Sequence, residues 1–360
     1  MNQVTAILIG AGARGQIYAR YAQEHPEELR IIAVAEPKAD RRALMCRAYG
    51  IPADRAFSNW ENLLARPQMA DAALICTLDD MHTEPALAAL KQGYHVLLEK
   101  PMSNSETECR AIAAAAEEAQ RVLSVCHVLR YTPFYRTIKQ LIDDGQVGEV
   151  ASLSQVENVG YWHHAHSFVR GNWRCSEQTS PMILQKSCHD MDILLWLSGQ
   201  RCTRVSSFGS LHHFDAAHAP QDAPLRCTDG CPHSVVCPYD AGKIYLTDNV
   251  GWPTDMLTTD LSREGRLKAL REGPYGRCVY HCDNDVVDRQ VVNLEFDNGA
   301  VASFTMTAFT TDMARQLKVC GTKGQITADM NANTVSLHRF GESGPREITL
   351  ETPPQTNNYG

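Results

Sequence analysis

The apolar run Ala6-Ile7-Leu8-Ile9 leads straight into Gly10-Ala11-Gly12-Ala13-Arg14-Gly15, and a second apolar run, Ile31-Ile32-Ala33-Val34-Ala35, ends on Glu36. Strand, glycine turn, helix, strand and acid follow one another in the register of a dinucleotide-binding βαβ unit, which constrains the fold more than any other stretch. Gly10 permits the tight turn, Gly12 lets a pyrophosphate approach bare backbone, and Gly15 lets the helix pack closely on the strand. The first helical turn, with Ala13 and Arg14, offers free N–H groups and a positive dipole end to the phosphates. Glu36 lies 21 residues past Gly15, where a carboxylate accepts hydrogen bonds from both ribose hydroxyls and repels a 2′-phosphate. NAD is therefore favoured over NADP.

At 360 residues the chain exceeds the usual size of one hydrophobic core, so two domains are expected. A net charge of -8 and the lack of a long Lys/Arg run argue against nucleic acid or an anionic membrane as partner. A small molecule is the expected substrate. Met1 leads almost at once into the first strand, without a signal-like segment or an uninterrupted apolar stretch long enough to span a membrane, so a cytoplasmic protein is expected. Of the 13 cysteines, Cys76, Cys126, Cys188 and Cys320 sit in core-like runs and read as packing.

Strand-like runs near 5–9, 31–35, 72–77, 95–98 and 123–127 alternate with alanine-rich amphipathic segments, the pattern of a parallel sheet with crossover helices. Ser103 and Glu106 fit a capping box for the helix after Pro101, and residues 133–144 read as one more helix. From 149 onward the pattern changes to alternating strands, with turns at Asp297-Asn298-Gly299 and Gly321-Thr322-Lys323-Gly324 that predict a largely antiparallel sheet. Residues 210–285 are irregular and rich in Pro, Asp, His and Cys, as in a long insertion.

His95-Val96-Leu97-Leu98-Glu99-Lys100-Pro101 places a charged pair and a proline at the carboxyl end of a strand, where open α/β sheets bind ligands. With the glycine motif, Thr77, His82 and the later His189-Asp190-Met191-Asp192, this stretch resembles the Gfo/Idh/MocA oxidoreductases over nearly the whole chain. The resemblance implies an α/β Rossmann domain (1–126) holding NAD, plus an α+β domain (127–360) with a large open, mostly antiparallel sheet that binds a sugar, sugar acid or polyol. It further implies that Thr77, His82, Glu99 and Lys100 serve the cofactor, that Lys100 touches the substrate as well, and that His189 lies by the oxidised carbon. A hydride leaves carbon only as the hydroxyl proton departs, so one group must accept that proton while a cation steadies the oxygen.

Many relatives carry an aspartate four residues before the histidine; here that position is Gln185, which cannot relay a proton as a carboxylate does. Lys186 is the candidate replacement, as a base or as a cation for an acidic substituent, with a solvated lysine at a helix start as the alternative. Asp192, one helical turn past His189, is expected to orient the imidazole or to cap the helix. His127, Arg130 and Tyr131 fall in a stretch that passes the active site in relatives, serving the substrate or tying the domains together. Tyr161, Arg170 and Trp173, in a cluster with Trp162, His163, His164, His166 and Arg174, suit sugar faces, hydroxyls or an anionic substituent; a packed loop is the alternative.

Cys227-x3-Cys231-x5-Cys237 and Cys278-x3-Cys282 bring five thiols into the irregular segment. A structural zinc would explain how a polar insertion holds its shape, with Cys227, Cys231, Cys237 and Cys282 preferred and Cys278 or His233 as substitutes; reduced thiols without metal are the alternative. Three activities stay open: an NAD-dependent dehydrogenase, a glycoside-cleaving enzyme that oxidises and eliminates transiently, and a nucleotide-sensing regulator without catalysis. Open sheet faces in relatives commonly pair between subunits, which implies a homodimer or homotetramer. The end at Thr356-Asn357-Asn358-Tyr359-Gly360 lacks the terminal helix that relatives usually carry, so a fragment or shortened version is expected.

Overall fold

A computed structural model describes residues 3–350, and the chain divides between Cys126 and His127 into two compact units. The expectation of a missing terminal helix falls on residues outside those described. In the first unit, β1 (Val4–Ile9), β2 (Leu29–Ala35), β3 (Ala56–Phe57), β4 (Ala72–Ile75), β5 (His95–Leu98) and β6 (Leu123–Val125) form one sheet in the order β3-β2-β1-β4-β5-β6. All its pairings are parallel. The order reverses outward from β1, so the carboxyl end of β1 is the switch point at which such sheets bind ligands. Alternation feeds both faces: Ile7 and Ile9 pack in one apolar layer, Ala6 and Leu8 in the other. The short β3 was not anticipated, since two residues carry no periodicity. The helix after Pro101 runs Glu106–Ala119 and is capped by Ser105, not Ser103. Ser103 Oγ instead donates to Glu108 Oε2 at 2.5 Å.

The second unit is built on β7 (Val150–Asn158), β8 (Cys202–Ser210), β9 (Arg289–Phe296), β10 (Val301–Thr307), β11 (Ala314–Gly321), β12 (Gly324–Asp329), β13 (Thr334–Arg339) and β14 (Arg346–Ile348). Their order is β14-β13-β12-β11-β7-β10-β9-β8. Every pairing is antiparallel except β10 with β7. Inward residues such as Leu153, Phe304, Leu317 and Val319 meet Ile193, Leu194 and Leu197 from the helix Cys188–Ser198 in one core. The irregular insertion contains two helices that its text did not announce, Ala241–Tyr245 and Arg263–Glu272. Among the described residues no helix is long and apolar enough to cross a membrane.

Candidate functional site

Gly10 adopts φ +89°, and a Cβ there would lie 2.6 Å from the Cys76 carbonyl oxygen. A Cβ on Gly15 would lie 2.1 Å from Gly10 O, whereas one on Gly12 would meet nothing nearer than Arg41 Nη1 at 4.0 Å. Two glycines are thus demanded by the fold, and the middle one borders open space. The following helix, Ala13–Glu24, has no side-chain cap and no acid in its first turn, so its first N–H groups suit a phosphate. Glu36 is buried: its Oε2 accepts from Ala11 N at 2.8 Å and its Oε1 from Lys38 N at 2.9 Å. A carboxylate has about four lone-pair sites, so the two backbone bonds fix Glu36 beside the turn and leave acceptor capacity for ribose hydroxyls. These residues fit the adenosine diphosphate half of a dinucleotide.

At the carboxyl end of β5, Glu99 is buried and accepts from Arg14 Nε at 2.8 Å, Tyr18 OH at 2.6 Å and Lys100 N at 2.7 Å. Burial opposes its ionisation, but Lys100 and Arg14 outweigh burial and hold the carboxyl below its usual range. Arg14 therefore serves as a strut for Glu99 as well as a residue of the glycine turn. The Lys100–Pro101 peptide is cis. His82 is wholly buried, with Nδ1 2.7 Å from Pro101 O and Nε2 3.3 Å from Thr77 O. A neutral imidazole has one N–H and can donate to only one of these carbonyls, and both contacts seat His82 against the loop that presents Lys100. Thr77 Oγ1 donates to Met81 O at 3.0 Å, closing the neighbouring loop.

In the second unit a buried charge network underlies the helix of His189. Lys186 Nζ lies 3.0 Å from Glu157 Oε1, and Arg315 Nε lies 2.7 Å from Glu157 Oε2 and 2.8 Å from Asp190 Oδ1. Gln155 donates to the same Asp190 oxygen. Burial pushes the Glu157 carboxyl up, against the pull of Arg315 and Lys186. It pushes the Lys186 ammonium down, against the pull of Glu157. Both shifts favour the neutral forms, which is the direction that makes an amine a proton acceptor. His163 is held below its usual range, first by burial and then by Lys186. The solvated-lysine alternative is therefore wrong. Glu157, Arg315 and Gln155 were missed from sequence, although Gln155 and Glu157 stand at the inward positions of β7 and Arg315 is the cross-strand partner of Glu157. Two polar residues on the buried face of an alternating strand were the available signal.

Asp192 stands on the helix Cys188–Ser198. It forms a two-point pair with Arg130, Nε to Oδ2 at 2.7 Å and Nη2 to Oδ1 at 2.5 Å, and lies 3.8 Å from His127 Nδ1. The His127 and His189 rings meet edge to face, 6.4 Å between centroids. Gln185 is buried and donates from Nε2 to Trp173 O at 2.9 Å, so it ties two loops together.

The surroundings of the other expected substrate residues are these. Arg170 is wholly buried and donates to the carbonyls of Arg277 (2.7 Å) and Tyr239 (2.7 Å) and to Cys227 Sγ (3.6 Å). It belongs to the insertion's interior. Tyr161 packs on Tyr239, 6.0 Å between centroids, and Trp173 packs against the core and against Phe168. Cys227, Cys231 and Cys237 line one small cavity with Cys278, and Cys282, the fourth expected ligand, is not among its lining residues. Among the described residues, the one group of three potential ligand atoms mutually within 4.8 Å is the exposed His25, Glu27 and Glu28.

Comparison with known proteins fits this arrangement. The oxidoreductase family with an NAD-binding Rossmann fold matches residues 4–127, and the GFO/IDH/MocA C-terminal domain matches residues 135–327. The protein named "Putative oxidoreductase YteT" of Bacillus subtilis is 25% identical over 303 residues, covering 82% of this chain and 66% of that protein. Inositol 2-dehydrogenase of Pseudomonas savastanoi pv. phaseolicola is 30% identical over 193 residues, 53% of each chain. The chain thus spans about half to two thirds of these relatives' length. In fold it is similar to levoglucosan dehydrogenase in complex with NADH and L-sorbose, with a TM-score of 0.70 at 19% identity, covering 97% of this chain and 80% of that one. The two matched regions together take in most of the sequence, and the chain belongs to the Gfo/Idh/MocA oxidoreductase family.

Proposed function

We propose that this chain is an NAD-dependent dehydrogenase of a sugar, sugar acid or polyol hydroxyl. The observation that carries the reading is the glycine turn at the sheet's switch point, with open space over Gly12 and Glu36 fixed beside it. NAD, which the glycine turn and Glu36 would hold, would supply the hydride acceptor. The Lys100 ammonium steadies the oxygen as its proton leaves, while Glu99, kept ionised by Arg14 and Lys100, holds the backbone on which Lys100 is carried. His189 accepts the hydroxyl proton, and Lys186 serves as the proton's further acceptor where relatives of this type carry an acid at position 185. Glu157 positions Lys186. Relatives that bind sugars and polyols, including an inositol dehydrogenase homologue from Azotobacter vinelandii solved with NADH and myo-inositol, support the substrate class. A cytoplasmic setting suits thirteen free thiols, and pairing through the open sheet would give a homodimer or homotetramer.

The test is a panel of polyols, sugar acids and aryl glycosides with NAD, following NADH absorbance and aglycone release together. Net NADH with a polyol or sugar acid is expected. Aglycone release without net NADH would shift the assignment to transient oxidation and elimination. NADH binding without any turnover across the panel would favour the regulator.

A further inference from the structure

The insertion of the second unit contributes to two small apolar clusters, around Phe214 and Tyr239 and around Tyr245 and Leu270, and four thiols gather between its segments. Cys227 and Cys278 are set side by side by an isolated bridge: Cys227 N donates to Gly276 O at 2.9 Å, and Cys278 N donates to Leu225 O at 2.9 Å. Cys231 and Cys237 flank a turn in which Cys237 N donates to His233 O at 2.8 Å. All four cysteines line one cavity of about 20 Å³, together with Arg170 and His233. The backbone therefore delivers ligands from three separate points of the insertion to one place.

A second observation concerns charge. The Arg170 guanidinium is wholly buried and lines this cavity. Its partners there are two carbonyl oxygens, the Cys227 sulfur at 3.6 Å and the Tyr245 hydroxyl, and Asp240 lines the same cavity. Among the described residues it forms no ion pair with a carboxylate, although a buried cation without a counter-charge is costly. Four thiolates around a divalent ion carry a formal double negative charge. Such a centre would supply what Arg170 lacks.

We propose that Cys227, Cys231, Cys237 and Cys278 bind one structural zinc ion that staples the insertion. Sulfur donors in a set of four select zinc or an iron–sulfur cluster over harder metals. The cavity decides between them, because about 20 Å³ holds roughly one water-sized sphere, which suits a single ion and not a four-iron cluster. His233 is set aside as a ligand through Nε2, which lies 2.7 Å from Gln221 O. Cys282 is set aside because its thiol donates to Cys278 O at 3.3 Å and does not line the cavity. In the structure no three of these sulfurs lie within 4.8 Å of one another. Binding would draw them to the corners of a tetrahedron with zinc–sulfur bonds of about 2.3 Å, each thiol that ligates releasing its proton to solvent.

Metal analysis of the purified chain, expressed with zinc in the medium, tests this. About one zinc per chain is expected in the wild type and in Cys282→Ser, with at least a tenfold loss in Cys278→Ser and in Cys231→Ser. Zinc-free wild type, iron with acid-labile sulfide in its place, or full zinc in Cys278→Ser would overturn the proposal. Since losing the staple can itself unfold the insertion, cobalt exchange into the wild-type chain gives an independent reading. Strong thiolate-to-cobalt charge transfer with tetrahedral visible bands is expected; a weak octahedral spectrum contradicts the site.

Discussion

Gly12 and Gly15 look alike in the sequence and have different physical jobs. Gly15 is forced by the fold, because a methyl group would sit 2.1 Å from Gly10 O, whereas a Cβ on Gly12 would meet nothing nearer than 4.0 Å, so the fold itself does not demand glycine there. Gly15→Ala should lower stability by roughly 1–3 kcal/mol through overpacking. Gly12→Ala should melt like the wild type but lose at least tenfold in NADH affinity, about 1.4 kcal/mol; paired thermal melts and fluorescence titrations check both. Lys186 invites a similar separation. Lys186→Met removes the buried partner of Glu157, which should lower stability as well as turnover. Adding Glu157→Gln should recover much of the stability in urea melts while turnover stays low. A double variant that regains turnover would make Lys186 structural only. The pattern of glycines was legible from the sequence because each obeys a local rule. The Lys186 network was not, because Glu157 and Arg315 meet it only through the pairing of β7 with β11.

At the scale of elements, the segment 161–170 shows how a polar-looking stretch becomes interior. His164 is wholly buried between Phe168 and Phe214, with neither ring nitrogen hydrogen-bonded. Burial pushes its pKa down to about 3, and burial with Arg170 nearby does the same to His166. Both histidines are neutral in the fold above that value, while the unfolded chain takes up protons below about 6.5. Stability from this source is therefore full above pH 6.5 and falls as pH drops toward 3, by about 1.4 kcal/mol per pH unit for each histidine. The loss of stability between pH 7.5 and pH 5 should shrink by about 2 kcal/mol in His164→Leu, measured by denaturant titration at the two values; an unchanged difference would contradict the burial argument. Sequence alone suggested sugar recognition here, since the rings of Tyr161, Trp162, His163, His164, His166 and Trp173, with Arg170 and Arg174, suit it equally well. The helix Arg263–Glu272 was also hidden, because few of its positions are apolar and only Arg266 and Leu270 are buried.

For the whole molecule, the two units differ in how plainly their sequences announce them. The first alternates strand and helix with short connections, so five of its six strands stand out by hydrophobic run alone. The second announces its hairpins through Asp297-Asn298-Gly299 and Gly321-Thr322-Lys323-Gly324, but its parallel β7–β10 pairing joins residues roughly 150 apart in the chain and leaves no local trace. Each unit has its own core. The claim on which the rest depends is that the first unit selects NAD through Glu36. Calorimetric titration of the wild-type chain with NADH and with NADPH tests it most directly. NADH should bind at least tenfold more tightly; equal affinity, or tighter binding of NADPH, would contradict the account.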